Sequence, residues 1–338
     1  MRLAVVAPLV TPLAEAQLGG AQAFVADLAR ALAARGHEVS LYCAEGSELS
    51  GVRLCTVPVQ PAVARALVMP GGRAAGPVPE LRDAIARLYD RVRLDGADAV
   101  SQHSFDAEAI ELAEDLPMPV LHTLHLPPIV PAVVNAARTT RRRLATVSRA
   151  TAGAWAAAGA GCLVIPNGVP DFDAGSPPVR AEAMVAGRIS PEKATHTAVE
   201  LARRAGLRPR VFGTIYDADY AAAYHLAPEA RMPRPELWRV MAGCAVTLMP
   251  VEWDEPFGLV AAESQLAGTP VVAYRRGGLP EVVEDGVGGF LVEPEDEAAF
   301  VAAIVAARAL DRAEVRAGAR RRLLIDRSAA AYERALAG

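Results

Sequence analysis

The sequence predicts an α/β protein built from two domains, each around a parallel sheet. The chain has 338 residues, long enough for about two domains of ordinary size. Short apolar runs of the buried-strand type alternate along it with segments of helical periodicity, the pattern of βαβ units. The alternation is interrupted once, at the polar stretch Asp171–Val179 with its Gly, Ser and two Pro, and then restarts.

Leu3–Pro8 is the first strand. A polar loop leads to Gly19-Gly20, and the helix that follows has Phe24, Leu28, Ala31 and Leu32 on one face and stops at Gly36. His37–Cys43 is the second strand, which completes a βαβ unit. Its first loop lacks the G-x-G-x-x-G of dinucleotide folds, which argues against a nicotinamide enzyme. Val52–Val57 is a third strand, and Pro58–Pro79 is a long loop, either functional or a surface excursion. Helix (Glu80–Arg93), strand (Ala97–Ser101), helix (Asp106–Asp115) and strand (Val120–Thr123) continue the series. His103 and Ser104 lie just past a strand end, where open α/β sheets hold ligand-contacting loops. His122 falls within or at the end of the next strand and His125 in the loop after it; a lone loop histidine is more often structural than functional. Arg138, Arg141, Arg142 and Arg143 read either as a solvated helix face or as a meeting point for an acidic acceptor or lipid head groups. Leu144–Val147 is a strand and Ser148 caps the next helix; Leu163–Ile165 closes this half, ending in Pro166-Asn167-Gly168.

In the second half Glu182–Ala186 is a strand that runs into Gly187-Arg188. Ser190 has the character of an N-cap, and Pro191 of the first residue of a helix through Ala205. Arg188 and Lys193 beside such a helix start add positive charge to an anion site, Arg as a bidentate fork and Lys as a point charge; two ordinary surface cations is the alternative. Arg210–Gly213 is a strand, and Thr214–Met232 a Tyr-rich segment. Pro235–Gly243 is a helix, Ala245–Pro250 and Pro270–Tyr274 are strands, and Phe290–Val292 is a further strand. Helices follow at Pro294–Ala307, Arg312–Leu324 and Ser328–Leu336.

Between them lies EWDEPFGLVAAESQLAGTPVVAYRRGG, Glu252–Gly278. Pro256 and Gly258 argue against helix at Glu255, while Leu259 onward reads as helix, so Glu255 sits in a loop before a helix start and Glu263 more than one turn inside. Free N–H groups at a helix start attract phosphate, and a carboxylate a turn further along can accept from a vicinal diol such as a ribose. A solvated face for Glu263 is the plain alternative.

The hydrophobic share is 52% with only 5% aromatics, so the core rests on Ala, Val and Leu. A formal charge of −4 and a pI of about 5.9 give no general attraction to nucleic acid or anionic membranes. Cys43, Cys55, Cys162 and Cys244 are scattered without a Cys-x-x-Cys pair, so neither a zinc site nor a disulfide framework is expected, and the reduced cytoplasm is the expected compartment. No signal peptide or membrane span is read, and any membrane contact is at most peripheral.

In order, these motifs resemble the retaining glycosyltransferases of family 4. The resemblance rests on Gly19-Gly20 and Gly36-His37-Glu38-Val39, Thr123-Leu124-His125, Ile165-Pro166-Asn167-Gly168-Val169, Gly187-Arg188 with Pro191-Glu192-Lys193, Glu255-Pro256-Phe257-Gly258 with Glu263, Gly268-Thr269-Pro270, and Gly277-Gly278 with Glu281. It implies the GT-B fold, two Rossmann-like domains facing each other across a cleft. It implies an acceptor domain over 1–170, a nucleotide-sugar domain over 171–324, and a terminal helix over 325–338 packing back on the first. A sugar would pass from a nucleoside diphosphate, UDP favoured, to an acceptor hydroxyl of a glycoside or small molecule with retention of configuration. No metal and no other cofactor is expected, and no Asp-x-Asp stands at a strand end.

By the resemblance, Arg188 and Lys193 hold the diphosphate, and Gly19, Gly20 and Gly187 approach the donor. Glu263 binds the ribose. Glu255 and the N–H groups of Phe257, Gly258 and Leu259 hold the sugar, and His125 contacts it near the reaction centre. His103 and Arg141 are acceptor-side candidates. The family's Gly after the P-E-K lysine is Ala194 here, and its glycine-rich loop is replaced by FGTIYDADY. The composition is similar to actinomycete enzymes that decorate oligosaccharide antibiotics, with polysaccharide or glycolipid assembly as other roles. A nucleotide-sugar epimerase or hydrolase of the same fold, and a non-catalytic nucleotide-sugar-binding subunit, are the competing readings; the oligomeric state is left open.

Overall fold

The computed structural model describes residues 1–15, 20–61, 63 and 78–337. Gly19 and most of the Pro58–Pro79 loop therefore lie outside the described residues. The chain divides into two compact units, Met1–Asn167 with Ile325–Gly338, and Gly168–Leu324.

The strands of the first unit are β1 (Arg2–Val6), β2 (Glu38–Ala44), β3 (Arg53–Val57), β4 (Ala99–Gln102), β5 (Val120–Leu124), β6 (Arg143–Thr146) and β7 (Leu163–Val164). They pair in parallel in the order β3-β2-β1-β4-β5-β6-β7. Leu3 to Val6 are all buried, as expected of a parallel strand covered on both faces. The helices are α1 (Gly20–Ala34), α2 (Pro79–Asp95), α3 (Ala107–Leu112), α4 (Pro131–Thr139) and α5 (Arg149–Ala157). Gly96 ends α2 in the left-handed region, φ 71°, and donates to the Val92 carbonyl at 3.1 Å. Ser148 caps α5 by accepting from the Thr151 N–H at 3.1 Å, a contact worth about 1 kcal/mol.

The arginine cluster is not one helix face. Arg138 ends α4, and Arg141 pairs with Glu114 at 3.0 Å, its side chain 84% exposed. The guanidinium of Arg142 turns inward and donates to the carbonyls of Glu114, Leu116 and Met118. The cluster spans the end of a helix, a turn and the start of a strand, because α4 stops at Thr139 and β6 begins at Arg143.

The second unit has β8 (Arg180–Ala186), β9 (Arg208–Phe212), β10 (Cys244–Met249), β11 (Val271–Tyr274) and β12 (Gly289–Val292), in the parallel order β12-β11-β10-β8-β9. Its helices are α6 (Thr195–Arg204), α7 (Ala218–Ala223), α8 (Arg234–Gly243), α9 (Leu259–Leu266), α10 (Leu279–Val282), α11 (Glu297–Ala307) and α12 (Arg312–Arg322). The single helix expected from Pro191 to Ala205 is two pieces. Pro191–Lys193 forms a 3-10 turn, Ala194 takes the left-handed conformation at φ 50°, and α6 starts at Thr195. Ser190 makes no side-chain cap. Within the Tyr-rich segment, Asp217 caps α7 by accepting from the Tyr220 N–H at 2.8 Å.

The chain then returns to the first unit as α13 (Ile325–Leu336). Tyr332 is fully buried there, its ring 6.1 Å from Phe24 of α1 and its hydroxyl 2.9 Å from Thr123 Oγ1. Ser328 donates to the Pro166 carbonyl at 2.7 Å. The way out and the way back run side by side, with the Val169 N–H donating to the Leu323 carbonyl at 2.9 Å.

Both sheets reverse their strand order once, between β1 and β4 and between β8 and β10. The carboxyl ends of strands at such a reversal open the crevice where ligands of α/β sheets sit. No helix among the described residues is long and apolar enough to cross a membrane.

Candidate functional site

In the second unit, β8 and β10 deliver their charged residues to the reversal point. β8 ends in Gly187-Arg188, the 3-10 turn supplies Lys193, and the loop after β10 supplies Trp253 and Glu255. The Glu252 N–H donates to the Glu192 carbonyl at 3.0 Å, which ties the two loops together. Lys193 Nζ lies 2.5 Å from Glu255 Oε2. The indole N–H of Trp253 donates to the same oxygen at 2.8 Å, and Nζ stands 4.8 Å from the indole centroid. Trp253 had no part in the sequence reading; its place two residues before Glu255 in an exposed-looking loop was the only available signal. Arg188 pairs with Glu192 at 3.2 Å, and its guanidinium lies 5.7 Å from the ring of Tyr216, which is 43% exposed.

The glycine motifs have steric causes. Gly277, at φ 56°, leaves no room for a side chain, since a Cβ would stand 2.3 Å from the Glu255 carbonyl oxygen. Gly278 donates to that carbonyl at 2.7 Å. Gly258, at φ 97°, caps α9, and a Cβ there would meet Leu279 at 2.7 Å. Gly187 packs against Gly213, where a Cβ would stand 1.7 Å from the Gly187 carbonyl oxygen. The close stacking of glycine on backbone therefore fixes Glu255 immediately before the start of α9, whose first N–H groups have no acceptor within the helix. Phe257 is buried beneath this start, and Leu259 is its first helical residue.

Glu263 is not on a solvated face. It is 8% exposed, and Arg234 at the head of α8 reaches it at 2.7 Å. Arg234 also covers Trp238 at 4.8 Å, which stacks on Phe172 at 3.8 Å. Arg234, 29 residues away in sequence, gave no local signal.

The first unit gathers a separate set of residues at its own reversal point. His103 follows β4 and His125 follows β5; both are buried. His103 Nδ1 is 2.9 Å from His125 Nε2, and His103 Nε2 is 2.9 Å from Ser101 Oγ. Phe24 meets both rings edge-on, at 6.2 and 5.7 Å, one turn after Gly20 opens α1. Burial pushes the His125 imidazole down to about 4 and holds His103 well below its ordinary range, so both rings are neutral near pH 7. His122 lies within β5, and burial pushes it to about 3. Arg141 stands apart, held by Glu114.

Comparison with known proteins assigns each half. Residues 18–171 match the family model "Glycosyltransferase Family 4", and residues 172–322 match "Glycosyl transferases group 1". Its first half is thus of the glycosyltransferase family 4 type and its second half of the glycosyl transferases group 1 type. The chain is 37% identical over 194 residues to a D-inositol 3-phosphate glycosyltransferase of Geodermatophilus obscurus, a match that covers 47% of the chain and 42% of that relative. The chain thus spans less than half the length of the curated relatives it matches. Among solved structures, Anabaena Alr3699/HepE in complex with UDP and glucose superposes with a TM-score of 0.73 at 18% identity, covering 99% of both chains. AviGT4, a glycosyltransferase involved in avilamycin A biosynthesis, superposes with a TM-score of 0.72 at 24% identity, covering 100% of this chain and 98% of that one. These likenesses establish the GT-B fold for this chain.

Proposed function

We propose that the chain transfers a sugar from a nucleoside-diphosphate sugar, UDP-hexose by preference, to an acceptor hydroxyl, with retention of the anomeric configuration. The observation that carries this reading is the Lys193–Glu255–Trp253 contact beside the open start of α9. Breaking the anomeric C–O bond puts negative charge on the departing phosphate and positive charge on the sugar. Arg188, Lys193 and the α9 N–H groups meet the first, and groups that bind the departing phosphate more strongly than the intact donor lower the barrier. Glu263, held by Arg234, is placed to accept from a ribose diol.

Glu255 acts in this reading as an anchor for sugar hydroxyls rather than as a nucleophile. Its Oε2 already accepts from Lys193 and Trp253, which draws charge from it, and Oε1 is left for the ligand. The departing phosphate then takes the acceptor proton on the same face of the ring, so configuration is kept. No metal ion takes part, because two cations and a helix start offset the charge. The UDP and UDP-glucose complexes of HepE support the donor class, and AviGT4 supports a place in antibiotic or polysaccharide assembly. Four free thiols are compatible with a cytoplasmic enzyme.

Lys193→Ala tests this. A loss of roughly 100-fold in kcat/KM with UDP-hexose is expected; unchanged kcat/KM would sink the phosphate role. Inversion in the anomeric NMR of the product would sink retention, and loss of turnover in a chelator would sink metal independence. Donor consumption without acceptor would instead mark an epimerase or hydrolase, and tight UDP binding without any turnover a binding subunit.

A further inference from the structure

The three hydrogen-bonding groups behind β4 and β5 define which nitrogen of His125 holds the proton. Ser101 is fully buried, and among the described residues its hydroxyl has one partner, His103 Nε2, at 2.9 Å. The chain continues from His103 Nδ1 to His125 Nε2 at 2.9 Å and stops there. Two proton arrangements satisfy the two contacts. In one, Ser101 donates to His103 Nε2, His103 Nδ1–H donates to His125 Nε2, and His125 carries its proton on Nδ1. In the other every bond is reversed, His125 carries its proton on Nε2, and the fully buried Ser101 O–H has no other acceptor among the described residues. A buried donor left unmade is disfavoured by about tenfold or more in population. Phe24 and Tyr332 pack on His103, at 6.2 and 5.5 Å, and hold the ring in the plane both contacts need.

We infer that Ser101 and His103 are positioning residues that hold His125 as the neutral Nδ1–H tautomer, so that His125 serves the reaction as a hydrogen-bond donor to an oxygen of its ligand and not as a general base. A general base needs a bare ring nitrogen facing the substrate, and here the bare nitrogen, Nε2, is consumed by His103. That the oxygen belongs to a sugar rests on the function proposed above; the tautomer does not.

The experiment is long-range 15N–1H correlation on the full-length labelled chain at neutral pH, with His125 assigned by difference from His125→Gln. A protonated-type Nδ1 and a bare-type Nε2 on His125 are expected; a bare Nδ1 in the unaltered protein overturns the inference without recourse to any variant. Ser101→Ala removes the hydroxyl proton, so the two tautomers of His125 should become comparable, a shift of at least several-fold, while Ser101→Thr keeps the hydroxyl and the original signature. If Ser101→Ala leaves the signature unchanged, the relay is wrong. A correct signature in a protein that transfers no sugar refutes the proposed function alone, and a bare Nδ1 in a protein that does transfer refutes this inference alone.

Discussion

Gly277→Ala probes the part of the site that the backbone builds. Alanine at φ 56° is in the left-handed region, which costs about 1–2 kcal/mol, partly offset by about 0.4–1 kcal/mol from a less flexible unfolded chain. The methyl would also stand 2.3 Å from the Glu255 carbonyl oxygen and 2.5 Å from its nitrogen, backbone atoms with no side-chain rotation to relieve them. The Glu255 carbonyl would have to retreat by about 0.7 Å to reach even 3.0 Å, and the 2.7 Å hydrogen bond from Gly278 would go with it. That bond is worth about 1 kcal/mol. The total is about 1–2.6 kcal/mol, or roughly 2–10 °C in the melting of the second unit. A displacement of this size at a group holding the substrate lowers kcat/KM by roughly 10- to 100-fold. Gly286→Ala is the control. Gly286 has φ 78° but no atom within 4 Å of its Cβ position, so it carries the conformational term alone, at most about 1.6 kcal/mol, and no loss of activity. Both variants go through thermal denaturation, UDP titration and donor turnover. If Gly277→Ala behaves like Gly286→Ala in all three, the packing of Glu255 on the Gly277-Gly278 pair does not position the carboxylate.

Glu263→Ala removes the carboxylate that Arg234 holds at 2.7 Å, and a loss of about 1.5–3 kcal/mol, the range of a hydrogen bond to a charged group, is expected in chemical denaturation, with weaker UDP binding by calorimetry. The first unit should lose stability in acid. His122 and His125 have folded pKa values pushed down to about 3 and about 4 from 6.5, so their neutral forms contribute stability that is fully present above pH 6.5 and lost as pH falls toward those values. Asp106 works in the opposite sense: burial pushes it up to about 6, so its contribution is present below pH 4 and lost as pH rises through 6. Because both ring nitrogens of His122 are buried with no hydrogen-bond partner among the described residues, His122→Phe should remove about one proton from the stability slope between pH 4 and 6, roughly 1.4 kcal/mol per pH unit; an unchanged slope by urea titration would count against it.

Features that depend on neighbours in sequence were legible without a structure. Ser148 announced α5 because an N-cap acts three residues away, and Gly36 marked the end of α1 because a left-handed residue stops a helix locally. The loop place of Glu255 and the helical place of Glu263 followed from Pro256 and Gly258. What depends on strand order was not legible. His103 and His125 are 22 residues apart and touch only because β4 and β5 are neighbours. Arg234 finds Glu263 because α8 packs against α9. Ala194 misled for a different reason: alanine is the best helix former, and nothing local says that tertiary contacts hold it at φ 50°, where the family has glycine. α10 is a single turn and α7 barely longer, too short for periodicity to register.

The return of α13 also orders events in time. A ribosome releases Gly168–Leu324 before Ile325–Leu336, so the sheet of the first unit waits for its last helix until the second unit has been made. Tyr332 closes over His103 and Thr123 only then. A nascent chain that stalls or is cut inside the second unit thus lacks the helix that packs on His103 and Thr123. Tyr332 therefore reaches His103 only on a chain that already carries Lys193 and Glu255.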